Sequence, residues 1–451
     1  MMRRLTVLSR QRRETMKGTP MQPSVDAVEQ DIERQGVSAV QYRVLGICAA
    51  VLALDGYDIV SMGFALPALA EAWHVPPASL TTALVMGNVG MLVGALVSGP
   101  LGDRWGRKPV FLGNIFCFGL FSILSALSST LPVLSAMRFL TGLGLGGGVP
   151  LAIALCSDYS PQRHQAKLVS IMTIGVQAGT VGGGMIISRI IPVYGWPSVF
   201  IAGGVLPLLV LPLVYLLLPE SRQFVAGRAL VAGGGAAPRG NPVRALFQEG
   251  RAPVTVLLWI IFACNFLTTY LISLWLPTIL RQSGFSIADA VFATTMFSFG
   301  GGLVALVLGW PIARWGAERV LTCVLLVGLA GTVWLASGAH SYGVYLMAVF
   351  CTGAGISGSQ AGMNALSGAA YPTAIRSSGS GWALGVGRLG NIGGPLLGGI
   401  LLGYGLPPVS IFMCATVPVV ITVLCMFALG RVRSGTGGGS PVRQPARRRT
   451  A

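Results

Sequence analysis

The sequence predicts an all-α integral membrane protein, with twelve transmembrane helices arranged as two six-helix bundles. Three observations carry that prediction. Of 451 residues, 53% are hydrophobic and only 10% charged, with a mean hydropathy of +0.72, whereas a soluble chain carries about 25% charged residues. Apolar runs long enough to cross a bilayer recur along the whole chain. Short glycine-rich motifs of the first half return in the second at one nearly constant displacement.

The elements follow in order. The first span, residues 44–70, reads VLGICAAVLALDGYDIVSMGFALPALA and contains Asp55 and Asp58. Spans two to six take residues 80–101, 109–129, 131–157, 168–190 and 197–218; the fourth carries Arg138, and Pro219-Glu220-Ser221 closes the sixth. Spans seven to twelve take residues 253–279, 290–313, 319–338, 342–369, 378–404 and 407–430, with Arg388 in the middle of the eleventh. The 63 glycines and 27 prolines suit membrane helices, where small residues allow close packing and prolines allow bends. The expected divisions are an N-terminal cytoplasmic segment (1–43), a first bundle (44–219), a central cytoplasmic loop (220–252) containing GGGAAPRGNP, a second bundle (253–430), and a disordered basic tail (431–451).

Internal repetition supports the two-bundle division. Gly99-Pro-Leu-Gly-Asp103-Arg104-Trp-Gly106 after span two recurs as Gly309-Trp-Pro-Ile-Ala313-Arg-Trp-Gly316 after span eight, 210 positions on. Gly179-Thr-Val-Gly-Gly-Gly recurs as Gly390-Asn-Ile-Gly-Gly-Pro, and Thr141-Gly142 as Thr352-Gly353, both 211 positions on. Parallel repeats of this kind build transporters whose substrate site lies between the halves at mid-depth.

The net charge of +17 invites a nucleic-acid reading, which its placement excludes. With the N-terminus in the cytoplasm, 27 of the 31 basic residues fall on the cytoplasmic side; Arg189 and Arg281 lie opposite, and Arg138 and Arg388 lie within the membrane. This is the positive-inside pattern for an even number of spans with both ends cytoplasmic. The eight cysteines sit within apolar spans without metal-ligand spacing, so they read as small buried hydrophobes, and no metal is expected. The first 40 residues lack the apolar core of a signal peptide, and Met16 and Met21 are alternative starts to Met1. No nucleophile–base pair stands within the spans, so no enzyme is expected.

Gly99-Pro-Leu-Gly-Asp103-Arg104-Trp-Gly106-Arg107-Lys108 resembles the signature of the major facilitator superfamily in its expected place between spans two and three. Several further segments resemble the aromatic acid:proton symporter family: Leu54-Asp55-Gly56-Tyr57-Asp58; Arg138-Phe-Leu-Thr-Gly with the later Ser157-Asp158-Tyr159-Ser160-Pro161; Tyr371-Pro372-Thr-Ala-Ile-Arg376; and Gly381-Trp382-Ala-Leu-Gly-Val-Gly-Arg388. Asp158 stands where many members have Glu. The resemblance implies proton-coupled import of benzoate- or hydroxybenzoate-type acids across a bacterial inner membrane by alternating access, by a monomer with no cofactor and with the proton as coupling ion. It also implies a cytoplasmic-side lock, to which Asp103, Arg104, Gly106 and Arg107 belong, with Asp158 and Arg376 as further gating residues. Two alternatives stay open: a carrier of another small organic acid, and a proton-driven exporter.

The residues support this reading by themselves. Charged side chains deep in a span are costly and normally serve a transport path. Asp55 and Asp58 lie about 60° apart on one helix face, and two adjacent carboxylates in a low-dielectric site resist carrying two charges, which suits proton loading. Arg388 suits bidentate capture of a substrate carboxylate, or else pairs with Asp55 or Asp58 across the halves. Arg138 is a second anion-binding candidate; Gln360 and Asn364, four apart on one face, and the rings of Tyr57 and Trp382 complete the expected substrate site. Asn88, Gln177, Asn265, Tyr270 and Asn391 are further polar side chains able to shape the cavity.

Overall fold

The computed structural model describes residues 39–220, 242–338, 341–372 and 375–435. The start methionines, the loop stretch 221–241 and the tail from 436 lie outside the described residues. The first half comprises α1 (Ala39–Trp73), α2 (Thr81–Trp105), α3 (Arg107–Ala126), α4 (Leu131–Tyr159), α5 (Gln162–Tyr194) and α6 (Pro197–Leu217). A short α7 (Pro242–Leu246) precedes α8 (Ala252–Gln282), α9 (Ile287–Val307), α10 (Gly309–Trp315), α11 (Ala317–Ala336), α12 (Tyr342–Ala369), α13 (Arg376–Gly403) and α14 (Pro408–Gly435). No strand occurs among the described residues.

Local chemistry sets the breaks. Gly106 (φ 106°) separates α2 from α3, and Gly316 (φ 89°) separates α10 from α11. Both close the repeated octapeptide, and both adopt a backbone that side chains disfavour. Ten of the helices are long and apolar enough to cross a membrane. The two that complete the expected twelve, α12 and α13, are each 28 residues long but carry glycine, serine and amides in place of aliphatics. Such helices belong inside a bundle, where neighbours rather than lipid meet their polar atoms.

The repeat is physical as well as textual. In the first half α1 packs on α5 and α2 on α4; in the second, α8 packs on α13 and α9 on α12. A Cβ on Gly179 would stand 1.7 Å from the Ala53 carbonyl, and a Cβ on Gly390 would stand 2.3 Å from that of Ala263. Likewise Gly142 meets the Gly87 carbonyl and Gly353 that of Phe297, so each contact recurs about 210 positions on. Small residues at these crossings bring backbones together, which is how membrane helices gain dispersion energy without a hydrophobic drive.

The two halves share one apolar core near the face opposite the chain ends, where Phe64, Leu66 and Leu84 pack with Leu271, Leu274 and Trp275. Near the face that holds Val44 and Leu429 the cores separate, one built from the first half alone and one from the second alone. The bundles are therefore sealed at the far face and divided at the terminal face.

Gly179→Ala should lower stability by about 1–3 kcal/mol through overpacking against α1, read as a lower melting temperature in detergent. Gly182→Ala, three residues on and with nothing within 4 Å of its Cβ, should leave the melt unchanged.

Candidate functional site

Asp58 and Arg138 form the centre of the first half. Arg138 Nη1 lies 3.3 Å from Asp58 Oδ2, and both residues are almost fully buried, at 4% and 3% exposed for Arg138 and Asp58. Every arm of the guanidinium is used. Nε donates to Ser125 Oγ at 3.2 Å, Nη2 to Thr141 Oγ1 at 3.0 Å, and Nη1 also reaches Ser61 Oγ. The Phe200 ring covers its face at 4.7 Å. Ser122 Oγ donates to the other carboxylate oxygen of Asp58 at 3.2 Å. A cavity beside this pair is lined by Ile59, Met62 and Asn88 of the first half and Leu274 of the second.

Asp55, one turn earlier on α1, has the opposite surroundings. It is 2% exposed, and neither carboxylate oxygen has a hydrogen-bond partner. Gly148 of α4 faces it closely enough that a Cβ there would stand 2.3 Å from Oδ2. A negative charge in this place has no cation or donor to settle it, and an uncompensated buried charge is expensive. The site thus contains one satisfied carboxylate and one unsatisfied carboxylate on a single helix face.

Arg388 lies across the seam on α13. Gly399, eleven residues on, returns to within about 20° of the same face, and a Cβ on it would meet Thr81 of α2 at 2.0 Å. Arg388 therefore faces the first half. Among the described residues it has no carboxylate partner, and it interacts electrostatically with Tyr270 of α8. On α12, Gln360 Nε2 donates to Asn364 Oδ1 at 3.4 Å. Ser357, on the same side of that helix, accepts from Gln177 of α5 across the seam at 3.3 Å.

The two expected rings stand elsewhere. Tyr57 is buried inside the first half, with its hydroxyl donating to the Val199 carbonyl at 2.6 Å. Trp382 sits about 120° around α13 from Arg388, beside the exposed Leu389 and Leu396, and stacks on Trp259. The structure does not bring either ring to Arg388.

The gating set gathers at the terminal face. Arg107 pairs with Asp158 and donates to the Ala154 carbonyl. The backbone N–H groups of Arg107 and Lys108 both donate to Glu220 Oε1, at 3.1 and 3.2 Å, so a carboxylate from the end of α6 settles the N-terminus of α3. Tyr159 O–H donates to the Glu220 carbonyl. Gly106 makes the intervening turn, Arg104 is exposed in the last turn of α2, and Arg376 is exposed at the start of α13. The Asp103 side chain lies outside the described residues. Sequence reasoning missed Glu220 and the serines Ser61, Ser122 and Ser125 as site residues; the Pro219-Glu220-Ser221 stop was the one available signal.

The family described as Major Facilitator Superfamily matches residues 48–294 and 258–450. The chain is 36% identical to the 4-hydroxybenzoate transporter PcaK of Pseudomonas putida, over 90% of this chain and 96% of that one. It is also 36% identical to the gallate transporter of Pseudomonas putida, over 92% and 98%. The crystal structure of a D-xylose-proton symporter superposes with a TM-score of 0.70 at 17% identity, covering 86% of this chain and 97% of that one.

Removing one member of the Asp58–Arg138 pair leaves a buried charge alone, so Arg138→Ala should cost about 3–5 kcal/mol of stability. Asp58→Asn combined with Arg138→Met should recover most of that loss, which melting of the two variants in detergent will read.

Proposed function

The chain belongs to the major facilitator superfamily, and on that premise we propose that it is a proton-coupled symporter importing aromatic carboxylates of the benzoate and hydroxybenzoate type. The proposal places it in a bacterial inner membrane as a monomer, with both termini cytoplasmic and the proton as its coupling ion, without a cofactor. One observation carries the reading: an unsatisfied carboxylate, Asp55, and an unpaired guanidinium, Arg388, stand in opposite halves of a two-bundle carrier. The names of the relatives direct the choice of aromatic acids.

The chemistry follows from matching charges. In the loaded carrier a proton on Asp55 and a substrate carboxylate on Arg388 neutralise both halves, so the seam can close without trapping net charge. In the empty carrier, Asp55 and Arg388 are opposite charges able to neutralise each other across the seam. A carrier holding the proton or the anion alone has neither solution, and burying its excess charge costs several kcal/mol. That penalty enforces coupling. The Asp58–Arg138 pair, already neutral, holds α1, α3 and α4 in register around the proton site. One proton carried with one monoanion is electroneutral and is driven by about 1.4 kcal/mol per unit of pH gradient.

Asp55→Asn should fold normally yet fail to concentrate radiolabelled 4-hydroxybenzoate in proteoliposomes with an alkaline interior; accumulation equal to wild type removes Asp55 from coupling. Arg388→Ala should weaken binding of the same acid by about tenfold to a hundredfold, the value of a charge-assisted hydrogen bond, with the melting temperature unchanged.

A further inference from the structure

Two more polar side chains of the second half stand near Arg388, and one of them has a buried atom without a hydrogen bond among the described residues. Asn391 lies three residues on, about 60° around α13 toward α8. It is 5% exposed, and its Oδ1 is buried with no hydrogen bond. With no protein hydrogen bond to hold it, the amide can turn its carbonyl or its N–H2 to a guest. Tyr270 approaches from α8, where Gly390 and Gly394 of α13 press against Ala263, Leu267 and the Tyr270 backbone. Its ring packs on Phe266, which in turn abuts Gly387, and Tyr270 interacts electrostatically with Arg388. A buried polar group without a partner is costly, and its place beside Arg388 and Tyr270 on this helix crossing calls for a guest that satisfies it.

We propose that this triad reads the ring substituent of the substrate: Arg388 and the Tyr270 hydroxyl hold the carboxylate, and the Asn391 amide accepts a hydrogen bond from a hydroxyl on the aromatic ring. The inference rests on the reading of the chain as an aromatic-acid carrier and narrows it to hydroxylated acids. Arg388 and Asn391 are neighbours one turn apart on the same side of α13, a spacing that one benzene ring with two substituents can bridge. A site built to bond a hydroxyl discriminates against the analogue lacking it, because the amide is then left unpaired. Asn391 accordingly acts on selectivity, and Tyr270 acts on affinity for all members of the class.

The test measures binding of benzoate and of 4-hydroxybenzoate to purified full-length protein by calorimetry, with melting temperature as the folding control. Wild type should prefer 4-hydroxybenzoate. Asn391→Leu should weaken 4-hydroxybenzoate by about tenfold and leave benzoate within twofold of wild type. Tyr270→Phe should weaken both acids alike. If Asn391→Leu does not fold, Asn391→Ala carries the same expectation. An unchanged 4-hydroxybenzoate-to-benzoate ratio in the Asn391 variant overturns the proposal while leaving the carrier reading intact. Wild-type protein that binds neither acid overturns the carrier reading itself.

Discussion

Asp58 and Arg138 bind each other in a cage of serine and threonine hydroxyls supplied by α1, α3 and α4. With that cation consumed, Asp55 one turn away has no hydrogen-bond partner among the described residues. The constraint behind the whole arrangement is that a charge surrounded by helices and lipid must be matched. The first half commits its internal arginine to one aspartate and leaves the other without a hydrogen bond among the described residues, the place the proposed coupling gives to the proton. The second half presents Arg388, which has no carboxylate partner among the described residues. The function resides in this division of charge between two bodies that move.

The halves share a plan but differ in what they fix. At the terminal face of the first half, Glu220 settles the α3 N-terminus and Asp158 holds Arg107, tying α3, α4 and α6 together. The corresponding junction of the second half has the polarity reversed: Glu318 at the start of α11 pairs with Arg433 near the end of α14. Ala313 stands there where the first half has Asp103. Both bundles are thus stapled internally, so each can rotate as a unit while the seam between them changes.

Much of this was legible in the sequence, because hydropathy, spacing and repetition are local properties. The spans, the octapeptide turn and the glycine crossings recur at a displacement that the packing reproduces, down to Ala53 and Ala263. The charged residues inside spans stood out for the same reason. What was not legible is which side chains meet. Whether Asp55 or Asp58 takes Arg138 depends on α4 presenting Arg138 one turn from Gly142, against α3 serines that look ordinary in sequence. The direction of Tyr57 and Trp382 depends on helix rotation, which short aromatic motifs do not encode. Glycine-rich α12 and α13 carry fewer aliphatics than the other spans because the seam, and not lipid, selects their composition.

The sealed face shows which force holds the present state. One ion pair crosses the seam among the described residues, Arg281 Nε to Glu71 Oε1 at 2.6 Å, and both side chains are largely exposed. An exposed pair contributes only about 0–1 kcal/mol. The apolar surface beneath it includes Phe64, Leu66, Leu271, Leu274 and Trp275, and burying one such side chain is worth about 1.5–3 kcal/mol. Apolar contact therefore closes the far face, and opening it requires a comparable contact to form at the terminal face, where the cores now stand apart. Charge at mid-depth adds to this balance, because an unmatched ion in the closing seam is strongly unfavourable. On the proposed coupling, proton and carboxylate set that charge, so their occupancy governs which way the bundles rock.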